Sequence, residues 1–274
     1  MKNTFRLFVA IGVCTMLFVS CKKEPTPEPT IETGLEGQFM PERKIASIDK
    51  FDLIGEDSLR PVVQNLYEWN GDLLSKITQT QFAGTFVASQ TFHYDSLNRI
   101  AKIDFVTEDD NTFFEYVYEG KELAKVNRYK ENGELNEEYT FIRSDGKVTE
   151  VQKCTYKETT KYSFLTFVWE GDNTIQNALT ENGGTVPTDY TFDDKINPLY
   201  GLYAADFYTD LEQILSANNV LTSTTVMDYG GINLTTIFTY EYEYDDKGYP
   251  VKATCVKNLA SVNYTSVFNF TYLE

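Results

Sequence analysis

The stretch Phe92-His93-Tyr94-Asp95-Ser96-Leu97-Asn98-Arg99-Ile100-Ala101-Lys102-Ile103 contains the unit from which the fold can be predicted. An aromatic strand end is followed by a polar turn and by a second strand that opens Arg-Ile-x-x-Ile. Weaker copies lie at residues 69–77, 118–126, 144–151, 169–175 and 244–250, and residues 44–48 look like a second half without its first. The apolar position that opens each second strand recurs every 23 to 29 residues, at Ile45, Leu74, Ile100, Leu123, Val148 and Ile175. A period of about 25 residues corresponds to two strands and two turns.

Between the turns, apolar and polar side chains alternate as they do in β-strands. Residues 238–244 read Phe-Thr-Tyr-Glu-Tyr-Glu-Tyr, which places four aromatics on one face and Thr and Glu on the other. The turns carry Asn-Gly, Glu-Gly and Asp-Gly pairs, whose glycines supply the positive φ of tight hairpins. The Ile-x-x-Ile spacing breaks the alternation, and it predicts either a β-bulge just after the turn or a strand covered on both faces.

We therefore predict an all-β fold, an antiparallel up-and-down meander of about 13 strands curved into an open or closed barrel-like sheet. One short helix is expected near residues 206–217, because four apolar residues recur there at helical spacing: Phe207, Leu211, Ile214 and Leu215. This helix is expected to plug the concave face of the sheet; the alternative places it outside as a partner-binding element. A transmembrane barrel is the rival architecture, and the Thr, Glu and Lys face of the late strands argues against it.

The N-terminal residues predict export and a lipid anchor. Residues 1–20 combine Lys2 and Arg6 with an apolar run too short to span a membrane, as in a signal peptide. Ser20-Cys21 after this run is similar to the bacterial lipobox, so Cys21 is expected to carry palmitate; the alternative is an ordinary signal peptide with an incidental cysteine. Residues 21–36 predict a proline-rich, lipid-anchored tether, and residues 37–274 a single repetitive β domain. We expect the protein at the outer membrane, facing the cell surface or the periplasm.

Composition limits the classes of partner. The net charge of −17 and the lack of a basic cluster in the sequence argue against nucleic acid and against docking on an anionic bilayer. Two cysteines belong to the β domain, Cys154 and Cys255, and their distances from the preceding turns place them on opposite faces if both strands are regular. We expect two free, mostly buried thiols, although an oxidising compartment would permit a disulfide.

The sequence contains no recognisable catalytic constellation, so we predict no enzyme, no cofactor and no metal site. His93, the single histidine, shares a strand face with Asp95 but not with Ser96, which argues against a catalytic triad. Three acidic pairs lack a complete calcium loop and are interpreted as solvated turn acids: Asp109-Asp110, Asp193-Asp194 and Asp245-Asp246. A carboxylate pair of the glycoside hydrolase type stays open, because 41 acidic residues always offer pairs.

The repeated units resemble YD-type repeats, in which Tyr-Asp-x-x-Gly-Arg-Leu/Ile segments build long antiparallel meanders. Together with the lipobox and the late insertion at residues 192–202, they make residues 40–274 similar to a family of Bacteroidetes lipoproteins with a porin-like domain of unknown function. The resemblance implies a curved or barrel-like sheet. It implies no activity and transfers no functional residues.

Two functions from different classes follow. The first is a non-enzymatic binding module for glycan or peptide, with exposed tyrosine and tryptophan rings as its contact surface. The second is a structural or assembly partner of an outer-membrane complex, which would use sheet edges or the helix face. A row of exposed aromatics favours the first, whereas an unpaired edge or an exposed apolar patch favours the second. A carboxylate-based glycoside hydrolase is the remote alternative.

Overall fold

The computed structural model describes residues 36–54, 58–81, 85–157, 159–205 and 211–274. The predicted signal peptide, Cys21 and all of the tether except Glu36 lie outside the described residues, as do residues 206–210 of the predicted helix. No helix in the described parts of the chain is long and apolar enough to cross a membrane.

The strands are β1 (Ile45–Ile54), β2 (Ser58–Asn70), β3 (Leu73–Gln81), β4 (Phe86–Tyr94), β5 (Ile100–Thr107), β6 (Asn111–Glu119), β7 (Glu122–Lys130), β8 (Leu135–Ser144), β9 (Lys147–Thr155), β10 (Lys161–Glu170), β11 (Asn173–Glu181), β12 (Gly184–Ile196), β13 (Asn218–Tyr229), β14 (Ile232–Tyr244), β15 (Pro250–Leu259) and β16 (Val262–Tyr272). The helix α1 (Leu211–Leu215) lies between β12 and β13.

These strands form a closed antiparallel barrel, in which each strand pairs with its neighbours in the chain and β1 pairs with β16. The prediction of an all-β up-and-down meander is confirmed, and of the two forms left open the sheet adopts the closed one. The expected count of about 13 strands was wrong. The barrel has 16 strands.

Each repeat contains a β-bulge, as the Ile-x-x-Ile spacing predicts. In the β4–β5 hairpin, Tyr94 pairs with Ile100 and His93 with Lys102, so Ala101 is the extra residue. Ile100 and Ile103 consequently share a face, and both have 0% exposure. The same register shift occurs in β2–β3, β6–β7, β8–β9, β10–β11 and β14–β15. The bulge therefore keeps two side chains of each second strand, three residues apart, inside the barrel.

One position of the repeat was assigned wrongly. Ile175 was expected to open the second strand of its unit, but Trp169 pairs with Thr174 and Ile175 is the extra residue of the bulge. Thr174 takes the inward position with 0% exposure. Its backbone N–H and its hydroxyl lie 3.1 and 2.9 Å from the Ser216 hydroxyl. A polar residue is tolerated there because the insertion between β12 and β13 supplies its hydrogen-bonding partner.

A second feature of the repeat joins neighbouring hairpins. Each unit consists of a first strand, a turn and a second strand. The inward side chain at the end of the first strand donates a hydrogen bond to a backbone carbonyl of the previous unit, at the start of that unit's second strand. Tyr94 donates to Leu74 at 2.6 Å and Tyr118 donates to Ile100 at 2.8 Å. Four further units contain the same bond, with donors Trp69, Arg143, Trp169 and Tyr272. In β14 the donor is Tyr242, two residues before the end of the strand, and its acceptor is the carbonyl of Val220 within β13. These bonds tie the hairpins together around the barrel.

The barrel closes through the same unit, split between the two ends of the domain. Tyr272 of β16 pairs with Ile45 of β1 and donates its hydroxyl to the carbonyl of Pro250 at 2.8 Å. Residues 44–48, which looked like the second half of a unit without its first half, therefore pair with β16, which is that first half.

The insertion covers one end of the barrel interior, which we call the capped end; the opposite end is the far end. Three of the four residues predicted on the buried helix face join the same core as the strands: Leu211, Ile214 and Leu215. Phe207 lies outside the described residues. Tyr116 donates to the carbonyl of Tyr203 at 2.7 Å, which fastens the insertion to β6. The helix thus covers the interior of the sheet and not its outside.

Cys154 and Cys255 are free and buried, which confirms the prediction. Cys255 lies opposite Tyr240 and Ser266, on the inner face. Cys154 lies opposite Glu138, on the outer face. The two thiols are therefore on opposite sides of the wall, as their spacing from the turns indicates.

Gly37 brings the N-terminal segment against the capped end. Its φ is +78°, and its carbonyl accepts a hydrogen bond from the Ile100 N–H at 3.0 Å. A Cβ at this position would overlap the hydroxyl and ring of Tyr118. Only glycine combines this left-handed backbone with so close an approach.

We expect Gly37→Ala to lower the free energy of unfolding by about 2–4 kcal/mol, from backbone strain and from displacement of Tyr118. Gly71→Ala is the matched control, because its φ is +58° but nothing lies within 4 Å of the new Cβ. The control should cost about 1 kcal/mol. Thermal denaturation measures both, at about 2–4 °C per kcal/mol for a domain of this size. Equal midpoints for the two variants would contradict the packing of Gly37 on Tyr118.

Candidate binding site in the barrel lumen

The outer face of the wall carries ion pairs. Lys125 lies 3.2 Å from Glu138, and Lys252 lies 2.7 Å from Glu243. A charged side chain in the lipid-facing band of a membrane barrel costs about 2–4 kcal/mol near the bilayer midplane. At these positions the outer face is suited to water rather than to lipid.

His93 belongs to this outer face. Its Nε2 lies 2.7 Å from a carboxylate oxygen of Asp104, and Asp104 also pairs with Lys102 at 2.8 Å. Asp95 instead accepts hydrogen bonds from the backbone of Leu97 and from Arg99 within the turn. The residues weighed as a catalytic triad are thus held apart in separate structural roles.

The acidic pairs do not form metal sites in the described parts of the chain, where no cluster of three or more His, Cys, Asp or Glu side chains is suited to a metal ion. Asp110 is exposed, as expected for a turn acid. Asp193 differs from that expectation, because it accepts hydrogen bonds from Asn219 and Tyr244 and is partly buried. Asp245 likewise binds Arg43 and the backbone of its own turn. Two of the acids interpreted as solvated are therefore structural.

An aromatic row lines the lumen on β14. The ring centroids of Tyr240 and Tyr242 are 6.1 Å apart, and those of Tyr242 and Tyr244 are 5.8 Å apart, both pairs being stacked. All three side chains are half-buried, whereas Glu241 and Glu243 between them are exposed. Burial raises the pKa of Tyr242; burial, together with a hydrogen bond to Asp193, raises that of Tyr244. The predicted inward face of this strand is confirmed.

Towards the far end, the inner face of β8 changes from aromatic to charged. Glu137 is only 7% exposed, and it accepts hydrogen bonds from the Tyr139 hydroxyl at 2.7 Å and from Arg128 at 3.3 Å. Lys153 lies 3.0 Å from its other oxygen. Burial opposes ionisation of Glu137, but these donors and charges outweigh it and lower its pKa on balance. The carboxylate therefore stays ionised inside the wall.

A cavity of about 280 Å³ lies beside this cluster. Glu137, Lys153 and Ser163 line it, together with Lys161 and Glu181 near the rim. Cavities of about 300–1,000 Å³ with a few convergent polar groups are typical of small-ligand sites, and this cavity is at the lower end of that range.

Sequence reasoning missed this charged cluster. Alternation along one strand does not say which face is inside, and Glu137 and Glu138 are neighbours that point to opposite sides. One signal was available: Arg128 and Lys153 fall on the same strand parity as the buried Val126 and Val151, at positions where an apolar residue is the rule. A charge at an apolar position of a repeat marks a site that packing alone does not explain.

No family model matches this chain, and no curated protein matches it. Among solved structures, it is similar to a porin-like protein from Bacteroides uniformis, with 17% identity and a TM-score of 0.57 over 84% of this chain and 98% of that one. A porin-like protein from Bacteroides vulgatus gives 12% identity and a TM-score of 0.48 over 84% and 99% of the two chains. The first likeness confirms the porin-like barrel fold that the repeat resemblance implied. The lipid anchor and the kinship with YD repeats stay predictions.

We expect Tyr242→Asp to destabilise the barrel by at least about 3 kcal/mol. It removes two ring contacts and the hydrogen bond to Val220, and it places a carboxylate in the stack. Thr239→Asp is the matched control, because it adds the same group to the exposed outer face of the same strand. Its effect should stay within about 1 kcal/mol. Urea denaturation measures the free energy of unfolding of both variants. Similar losses of that free energy in the two variants would contradict the inward orientation of the tyrosine row.

Proposed function

We propose that this protein is a non-enzymatic, lipid-anchored protein of the outer membrane, whose barrel lumen binds a glycan or a peptide. The charged outer face suits a barrel held beside a membrane by an anchor at Cys21. The likeness to a porin-like protein of a Bacteroides species is consistent with that location.

The observation that carries the proposal is the half-buried aromatic lining of the lumen. A ring that only filled space in a core would be fully buried, as Phe114 is at 1% exposure. The rings of Tyr240, Tyr242 and Tyr244 keep part of their surface open towards the interior. Stacked tyrosines present flat apolar faces together with hydroxyl groups, which suit the faces of sugar rings and peptide side chains.

The structure gives less support to an assembly partner. Each of the sixteen described strands is paired on both sides, so the closed sheet offers no edge for a partner strand. Exposed apolar residues on the outer face are separated by charges: Lys125 of β7 lies between the strands of Val117 and Ile142, and Glu150 of β9 lies on the other side of Ile142. Single apolar residues of this kind are ordinary on a protein surface.

A glycoside hydrolase is also disfavoured. Such an enzyme needs a carboxylic acid whose pKa is raised, so that it can protonate the leaving oxygen. The buried lumenal carboxylate Glu137 has its pKa lowered by its donors, so it holds no proton to give.

A thermal-shift screen of residues 36–274 against glycans and peptides tests this function. A ligand should raise the unfolding midpoint of the wild type, and Tyr264→Ala should reduce that shift, because Tyr264 is 56% exposed on the lumenal face of β16. The control is Tyr200→Ala, a tyrosine of similar exposure (52%) on the insertion. A screen without any stabilising ligand, or an equal loss in both variants, would count against lumenal binding.

A further inference from the structure

The far half of the lumen collects positive charge in a chain whose net charge is −17. Lys153, on the inner face of β9, and Lys161, at the start of β10, line the cavity, and Arg128 adjoins it through Glu137. Among the described residues, four cations stand against three carboxylates around this space: Arg128, Lys153, Lys157 and Lys161 against Asp110, Glu137 and Glu181.

The lumenal cations are held in place by aromatic rings. The Arg128 guanidinium lies 5.5 Å from the centroid of Phe114, and the Lys153 ammonium lies 5.4 Å from that of Tyr139. Elsewhere on the inner face, Lys257 lies 5.4 Å from the centroid of Phe238. Cation–π contacts of this kind fix a charge without neutralising it. Arg128 and Lys153 both pair with Glu137, so a single carboxylate is shared between the two positioned cations.

Among the described residues, two polar atoms of this region have no hydrogen-bonding partner. Arg128 Nε and Thr112 Oγ1 are buried and make no hydrogen bond. They lie close together, because Arg128 pairs with Phe114, two residues along β6 from the 5%-exposed Thr112. Buried polar atoms in native proteins are nearly always hydrogen-bonded, so an orphaned guanidinium N–H beside a hydroxyl indicates a missing acceptor. This observation is independent of the charge count and points to the same ligand chemistry.

We propose that the far half of the lumen binds an acidic saccharide, whose carboxylate or sulfate group is held by Arg128, Lys153 and Lys161. An anionic oxygen in the cavity would offset the excess positive charge of these side chains. This inference rests on the proposed binding function and names the chemistry of its ligand.

The test is isothermal titration of the full-length exported protein with three probes: an oligogalacturonate, the same oligomer methyl-esterified, and a sulfated oligosaccharide. We expect the carboxylated or the sulfated probe to bind, and its affinity to fall as NaCl rises from 50 to 500 mM. The esterified oligomer, which lacks the negative charges and carries a methyl group on each carboxyl, should bind at least tenfold more weakly. The probe that binds identifies the anionic group as a carboxylate or a sulfate.

The matched variants are Lys153→Gln and Lys125→Gln. Each removes a lysine paired with a glutamate of β8, Lys153 with Glu137 inside and Lys125 with Glu138 outside. We expect about tenfold weaker binding for Lys153→Gln and no change for Lys125→Gln. Lys161→Gln, at an exposed residue, gives a second reading if loss of Lys153 disturbs the fold.

The outcomes separate this inference from the proposed function. If neither acidic probe binds but a neutral glycan or a peptide does, the inference falls and the proposed function stands. Equal affinity for the esterified oligomer, or equal weakening by Lys125→Gln, would also overturn it. If no glycan and no peptide binds, both the inference and the proposed function are wrong.

Discussion

The barrel depends on one repeated constraint, the bulge that follows each turn of the repeat. A regular strand would send residues three apart to opposite faces, but the extra residue returns both to the interior, as with Ile100 and Ile103. The side chain that faces the bulge, such as Tyr94, then donates to the carbonyl of the preceding hairpin. Each hairpin is thereby joined to the one before it by more than its ladder of backbone bonds. Because Tyr272 makes the same bond at the seam, the ring of hairpins closes without a special element.

Because the bulges place one face of every strand inside the barrel, they also determine which side chains line the interior and which cover the outer surface. Ion pairs and threonines lie outside, where water solvates them, and aromatic and aliphatic rows lie inside. The insertion and the segment around Gly37 fill the capped end, so the interior is a core there. Towards the far end the inner rows change to Arg128, Glu137 and Lys153, and the interior becomes a polar cavity. One wall thus combines a stabilising core with a candidate binding site.

Local sequence signals predict the repeating unit but not its context. Alternation, turn glycines and the Ile-x-x-Ile spacing predict the strands and the bulge, because each depends on residues a few positions apart. Closure depends on Ile45 meeting Tyr272 from the other end of the domain, which no local pattern contains. In β11, Thr174 replaces an apolar residue only because Ser216 of the insertion lies beside it, and no local pattern brings these two residues together. The charged cluster escaped notice because side-chain type alone does not place Glu137 inside and Glu138 outside.

We propose that the outer wall of this barrel faces water, unlike the wall of a barrel that spans a membrane. Sedimentation velocity of residues 36–274 in buffer without detergent, together with far-ultraviolet circular dichroism, tests it most directly. The account predicts a compact, soluble species with β-sheet content. A chain that aggregates in buffer and gains its β-structure only in detergent micelles would contradict it.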